Sequence, residues 1–413
     1  MNKELEKLNI NIHYSDDINL IPKKFKNNKN TVIVYTPAIP KNHKEYNFFK
    51  AKNFTLKKRA EILGDLSKNK KTVAIAGTHG KTTITSITSH VFNIGGKLNA
   101  AFIGGILKNY KSNFIIDDNN LFGWLIAEAD EFDRSFLQFK PYLSIISSID
   151  ADHLDIYGTK KHIISAFEQF VEQTENIIIL NDNVKLNTKD KKYVFNYGLK
   201  ENSCFRALNI RTENDKQLFD IIYPDGMCKD FSIAMPGRVN IENSLATFAA
   251  AFFLGIDVPI IKIGLSTFKG IERRFDLILK NEKNIFINDY AHHPHEINRL
   301  VEAINNFYPN KKVTAVFQPH LFSRTRDFAK EFAKSLSKFD DIIITDIYPA
   351  RETPIEGVTS KIIFDKIENE NKTYCAYDKI IETIENKKPE LLLTIGAGDI
   401  DNLVESIKKT LLN

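Results

Sequence analysis

Short apolar runs alternate with amphipathic stretches along most of the chain from about residue 57, and that alternation predicts strands separated by helices. Val73-Ala-Ile-Ala76 opens the series as a run apolar on both faces, the pattern of a parallel strand covered above and below. Further elements follow as helix 81–94 closed by Gly95-Gly96, strands 124–128 and 143–149, helix 161–173 and strand 177–180. Residues 203–233 predict a β-hairpin excursion turning at Pro224-Asp225-Gly226, and the alanines of helix 240–254 predict close packing. A second alternating unit starts near 275, with strands 285–289, 313–317, 341–345 and 391–395 and helices 295–306, 323–336 and 399–411. The expected fold class is therefore α/β with parallel, doubly wound sheets. Residues 1–56 give a single strand-like run, Asn30–Thr36, before Pro37 and Pro40, and read as a fragment of a domain.

The junction between the first strand and its helix carries the strongest chemical signal. Gly77-Thr78-His79-Gly80-Lys81-Thr82-Thr83 follows an apolar strand and runs into a helix, a layout that cradles nucleotide phosphates on backbone N–H groups and the helix dipole. Lys81 would reach the β and γ phosphates and the Thr82 hydroxyl would coordinate Mg²⁺. The spacing is two residues shorter than the common GxxxxGK[ST] loop, and the bland alternative is a strand-to-helix turn with a surface lysine.

Two acidic clusters follow predicted strands. Glu128-Ala-Asp130-Glu131-Phe-Asp133 and Asp152-His153-Leu-Asp155 stand at strand ends, where ligands of parallel sheets bind. One of the four carboxylates of the first cluster should hold Mg²⁺ and His153 is a candidate for a second metal ion, against the alternatives of a solvated acidic turn and a helix cap beside a core histidine. Downstream, Asp289-Tyr290-Ala-His292-His293-Pro294 and Gln318-Pro-His320-Leu-Phe-Ser-Arg324-Thr-Arg326-Asp327 each lie between a strand and a helix, with the two arginines suited to carboxylate or phosphate.

Composition narrows the classes. With 413 residues, 43% hydrophobic and 26% charged, the chain has room for two or three ordinary globular domains. A net charge of +5 spread over scattered lysines gives no nucleic-acid stripe, and no apolar stretch has the length of a membrane span or the form of a signal peptide, so the expected location is the cytosol. Cys204, Cys228 and Cys375 are too few and too far apart for a disulfide framework or zinc site.

Taken in order, these segments resemble the Mur ligase family over roughly residues 30 to 400, joined by Pro236-Gly-Arg238 with Asn240 and Asn243, Gly270-Ile-Glu-Arg273-Arg274-Phe275, Tyr348-Pro-Ala-Arg-Glu352 and Gly396-Ala-Gly-Asp-Ile400. The resemblance implies three domains: 1–56 for a UDP-linked substrate, truncated; 57–274 for ATP; and 275–413, a Rossmann-like domain, for an amino acid. Within the family, Gln318-Pro-His320 and Ser323-Arg-Thr-Arg326 look like the branch that joins L-alanine to UDP-N-acetylmuramate through an acyl phosphate, with the tripeptide-recycling branch and an ATP-binding remnant as alternatives. The implied roles are Lys81 on the phosphates, Thr82 and Glu128 on one Mg²⁺, His153 on another, Asn243 at the adenine and Arg273 or Arg274 facing the phosphates. Tyr290, His292, Arg324 and Arg326 would orient the amino acid and the transition state. A monomer or weak homodimer is expected.

Several positions depart from the family pattern. Members open with a strand and a glycine-rich loop for uridine diphosphate, whereas Leu8-Asn-Ile-Asn-Ile12 here resembles a later strand of that domain. Phe132, Ser148 and Leu321 replace residues that are often serine, asparagine and arginine.

Overall fold

The computed structural model describes residues 5–6, 9–27, 29–36, 39–150, 157–213, 216–350 and 352–412, with the Asp133 side chain outside the description. Among these residues the strands form three sheets. The smallest pairs β1 (Val32–Tyr35) with β2 (Thr55–Lys58) in parallel over a core of Ile21, Phe49 and Phe54, and β2 runs across the 56/57 division expected from the sequence. The apolar alternation at Leu8–Ile12 builds no strand at Asn9–Ile12, where Ile10 is exposed without a ladder partner; Leu8 itself lies outside the described residues.

The central sheet has ten strands, β3 (Thr72–Ala76), β4 (Leu98–Leu107), β5 (Ser112–Ile116), β6 (Trp124–Glu128), β7 (Leu143–Ile146), β8 (Ile177–Asn181), β9 (Tyr193–Gly198), β10 (Phe205–Glu213), β11 (Lys216–Tyr223) and β12 (Gly226–Ile233). Their spatial order is β12-β11-β10-β9-β8-β7-β3-β6-β4-β5. The strands from β10 to β4 pair in parallel, while β5, β11 and β12 join antiparallel at the margins. The sheet is thus mixed where a parallel one was expected, because the hairpin turns at either end reverse the chain without a crossover helix. The β4–β5 hairpin escaped the sequence reading since Gly104-Gly105 interrupts the period-2 signal. Alternate residues explain how β3 is covered on both faces: Val73 and Ile75 enter one apolar core, Ala74 and Ala76 the opposite one.

The helix Lys81–Ile94 is rich in threonine, serine and isoleucine, residues of modest helix propensity, and its residues Thr82 to Phe92 are buried. Tertiary packing therefore holds it. Helix Arg238–Phe253 lies against it with small residues at the contact, and the Thr88 and Thr247 hydroxyls bond across at 3.0 Å. The other side of Arg238–Phe253 places Phe248 among Phe205, Tyr223, Phe231 and Phe252.

The third sheet contains β13 (Asp276–Lys280), β14 (Ile285–Asp289), β15 (Val313–Phe317), β16 (Asp341–Ile344), β17 (Lys372–Tyr374) and β18 (Leu391–Ile395) in the order β13-β14-β18-β15-β16-β17. Only β13 is antiparallel among these described strands, and insertion of the last strand between β14 and β15 gives the doubly wound topology. The helix expected at 323–336 breaks into Phe322–Asp327 and Ala329–Leu336 at Phe328, whose ring packs on His293.

A short connection joins the two large sheets and is strained at several points. Gly270, Arg273 and Phe275 have φ of 92°, 62° and 46°. The strain is held from both sides: Gly270 and Glu272 bond to the backbone of Lys108 and Ile106, and the Lys108 ammonium donates to Asp276 at 2.6 Å. From the third sheet, the Asp289 carboxylate accepts the N–H groups of Phe275 at 2.7 Å and Ala291 at 2.8 Å. Burial pushes the Asp289 carboxyl up to about 6, against the pull of those two donors.

Two measurements follow from this packing. Phe248→Ala should cost about 3–5 kcal/mol in urea unfolding, since the side chain is fully buried in a ring cluster; a loss under about 1 kcal/mol would contradict the packing. Because the folded pKa of Asp289 is raised, its contribution to stability is full below about 3.8 and is lost as pH rises through about 6. A ¹³C titration of that carboxyl should therefore give a midpoint near 6, and an ordinary aspartate midpoint would refute the desolvation.

Candidate active site

The loop leaving β3 is shaped by two glycines that no other residue could replace without strain. Gly77 has φ 134°, and a Cβ there would lie 2.2 Å from Ser147 Oγ; Gly80 has φ 85° and caps the helix Lys81–Ile94. Serines after β7 tie the loop down. Ser148 Oγ accepts the His79 N–H at 2.8 Å, and Ser147 Oγ donates to the His79 carbonyl. Ser148 thus has a bond of its own at the position where relatives often carry asparagine. His79 also faces Asp150 at 3.3 Å and stacks on His295 of the third sheet's layer at 5.7 Å, and its imidazole is held below the usual histidine range by burial and then by Arg299.

The helix start presents two chemical groups side by side. Thr82 Oγ1 donates to Glu128 Oε1 at 3.0 Å, and Gly104 N–H donates to Glu128 Oε2 at 2.8 Å. Gly104 is required for this approach, because a Cβ would come within 2.4 Å of the carboxylate. A hydroxyl and a carboxylate are hard oxygen donors of the kind Mg²⁺ takes while keeping several waters, so the pair fits that ion. Among the described residues no three His, Cys, Asp or Glu side chains converge as a metal cluster. His153, the candidate for a second metal, lies outside the described residues.

Lys81 is held more tightly than its motif implied. Its ammonium donates to the Gly77 carbonyl at 2.7 Å and to both carboxylate oxygens of Glu131 at 2.9 and 2.6 Å. Glu131 is 3% exposed; burial raises its pKa and the adjacent Lys81 opposes that rise. The sequence showed Glu131 only as one acid in a cluster, and nothing in the spacing marked it as the lysine's partner.

A cleft of about 780 Å³ opens between the central and third sheets. Thr78 to Thr83, Glu128, Asn243, Arg274 and Tyr290 line it, which brings most of the predicted site residues together. Asn243 is buried and donates to Asn240 at 3.1 Å, and Asn240 donates in turn to the Pro236 carbonyl. The two adjacent arginines diverge. Arg274 reaches Thr82 Oγ1 at 3.3 Å, whereas Arg273 turns to the carbonyls of Gly396 and Gly398, faces Asp401 at 3.4 Å and stacks on Tyr290. Positive φ at Arg273 accounts for this, since it swings successive side chains apart.

Beside the cleft runs a chain of rings: Tyr290 against His292 at 5.1 Å, His292 against His320 at 5.9 Å, and His320 Nδ1 3.4 Å from the Arg324 guanidinium. Pro294 at the first turn and Glu296, which accepts the N–H groups of His292 and His293, fix the start of helix Pro294–Phe307 that positions them. Leu321, in place of an arginine in the family pattern, has φ 69° and donates its N–H to the Tyr348 carbonyl. Arg326 stands apart: it pairs with Asp327 at 2.7 Å and is half exposed, off the cleft lining.

Comparison with known proteins places this arrangement. Residues 75–251 match the Mur ligase middle domain, and residues 273–398 match the Mur ligase glutamate ligase domain. UDP-N-acetylmuramate–L-alanine ligases of Christiangramia forsetii and Flavobacterium psychrophilum are each 44% identical to the chain, with 100% of it and 90% of each relative covered. Among solved structures, the UDP-N-acetylmuramate-alanine ligase MurC of Thermotoga maritima superposes with a TM-score of 0.81 at 24% identity, over 98% of this chain and 90% of that one. The murein peptide ligase of Psychrobacter arcticus reaches 0.66 at 19% identity, over 100% and 91%. On the two domain matches and the full-length identity to these ligases, the chain belongs to the Mur ligase family.

Proposed function

We propose that this protein joins L-alanine to UDP-N-acetylmuramate at the expense of ATP, as the relatives with 44% identity over the whole chain are named for doing. The observation that carries the reading is the cleft in which Lys81 and the Thr82–Glu128 pair face Arg274 and Tyr290 across the two large sheets. ATP phosphates would lie on the loop N–H groups and the N-terminus of helix Lys81–Ile94, where dipole and ammonium favour negative charge. Mg²⁺, held by Thr82 and Glu128, supplies charge neutralisation of the phosphates when bound, with His153 as the candidate for a second ion. Asn243, whose side-chain oxygen packs against Gly80, would be the adenine contact. Arg274 is the better placed of the two arginines to face the phosphates, since Arg273 is committed to the third sheet's loops.

Residues 1–56 would take the uridine diphosphate end, 57–274 the ATP, and 275–413 the amino acid. The lactyl carboxylate would attack the γ phosphorus and ADP leave; the neutral alanine amine would then attack the acyl carbon, phosphate leave and the amide nitrogen give up a proton to solvent. Tyr290, His292 and Arg324 border the place where the amino acid must arrive. Arg326 joins them only if it gives up Asp327.

Incubation with UDP-N-acetylmuramate, ATP, Mg²⁺ and either L-alanine or the muramyl tripeptide, read by mass spectrometry, should yield the alanine adduct with stoichiometric ADP. Product from the tripeptide instead would move the enzyme to the recycling branch, and no product from either would sink the ligase reading. Lys81→Ala should lower kcat/KM for ATP by about 10²-fold or more, the scale of losing a preorganised charge at a developing anion.

A further inference from the structure

An ammonium group has three N–H donors, and in Lys81 all three have acceptors: the Gly77 carbonyl at 2.7 Å and the two Glu131 oxygens at 2.9 and 2.6 Å. The pair is sheltered, with side-chain exposures of 13% and 3%. Charge-assisted bonds of this kind are strong, and water screens them little. Glu131 does not line the cleft, whereas Lys81 does, so the carboxylate grips the ammonium from behind and draws it away from the open side. Asp130, the next acid, is 3.8 Å away and half exposed, and adds little. The backbone at Glu131 is held in turn, because its carbonyl accepts the Tyr157 hydroxyl at 2.6 Å.

A phosphate can bond to Lys81 only by taking a donor that the protein already uses. We propose that Glu131 is a positioning residue that competes with the nucleotide for Lys81, so that phosphate binding requires the ammonium to exchange part of its bond with Glu131 for the ligand. The cost of breaking that bond falls on every phosphate chain that binds through Lys81, ADP included. Glu131 thereby favours departure of ADP after turnover. The inference rests on the proposed phosphate-gripping role of Lys81.

Calorimetric titration of the full chain with ADP tests both levels. Glu131→Gln removes the buried counter-ion and leaves only the exposed Asp130 at 3.8 Å, and ADP should bind about 5- to 10-fold tighter, a change of order one displaced charge-assisted bond. Lys81→Ala should weaken ADP binding, and the double variant should bind as Lys81→Ala alone, since the effect acts through the ammonium. Unchanged or weaker ADP binding by Glu131→Gln overturns the inference, because a purely structural role predicts loss. Should that variant fail to fold, Glu131→Asp carries the test: it keeps the charge but is one methylene too short for the two-oxygen grip, and about twofold tighter binding is expected, equal or weaker binding being fatal. If Lys81→Ala binds ADP as well as the native chain, the phosphate-gripping reading itself falls; if it weakens binding while Glu131→Gln tightens nothing, only the competition is refuted.

Discussion

Burying a lysine ammonium at the mouth of a parallel sheet is costly unless its charge is met nearby, and the site is organised around that constraint. Lys81 stands one residue after a left-handed glycine, at the start of a helix that is itself buried, and Glu131 meets the charge from the end of the neighbouring strand. The loop geometry, the glycine at 77 and the serines after β7 are consequences of putting this cation where the helix N-terminus also points. Thr82, next in sequence, then falls beside Glu128 at the tip of the same strand β6. Strand adjacency thus delivers one carboxylate to the hydroxyl and another to the ammonium.

The second sheet enters through the connection at 270–276. Positive φ at Arg273 and Phe275 would be unfavourable in a free linker, but here Asp276 and Asp289 accept the N–H groups of those residues and Lys108 ties the segment to the central sheet. That fixed crossing decides which arginine faces Thr82. It also sets the distance between the loop at Gly77–Lys81 and the ring series Tyr290, His292 and His320, so the cleft is a product of linker conformation as much as of either sheet. Asp289 marks the same dependence, for its carboxyl is desolvated by being used to hold the linker.

Much of this was readable in the chain. Strands 72–76, 124–128, 285–289, 313–317 and 391–395 and the helix 81–94 stand where apolar runs and glycine stops put them, because fully buried parallel strands and a glycine-capped helix write themselves into local sequence. The β4–β5 hairpin was not readable, since Gly104 is selected by the approach of Glu128 rather than by any turn. Phe328 likewise interrupts a continuous helical pattern for the sake of a contact with His293.

By itself, the sequence determined the glycine-bounded loop before helix Lys81–Ile94, the α/β alternation and the resemblance to a ligase family, all of which depend on residue type and short spacing. Tertiary structure alone decided that Glu131 is the partner of Lys81 and that Arg274 and not Arg273 turns to the loop. Those outcomes join residues separated by up to 192 positions, or depend on a single φ angle, and no local pattern encodes either.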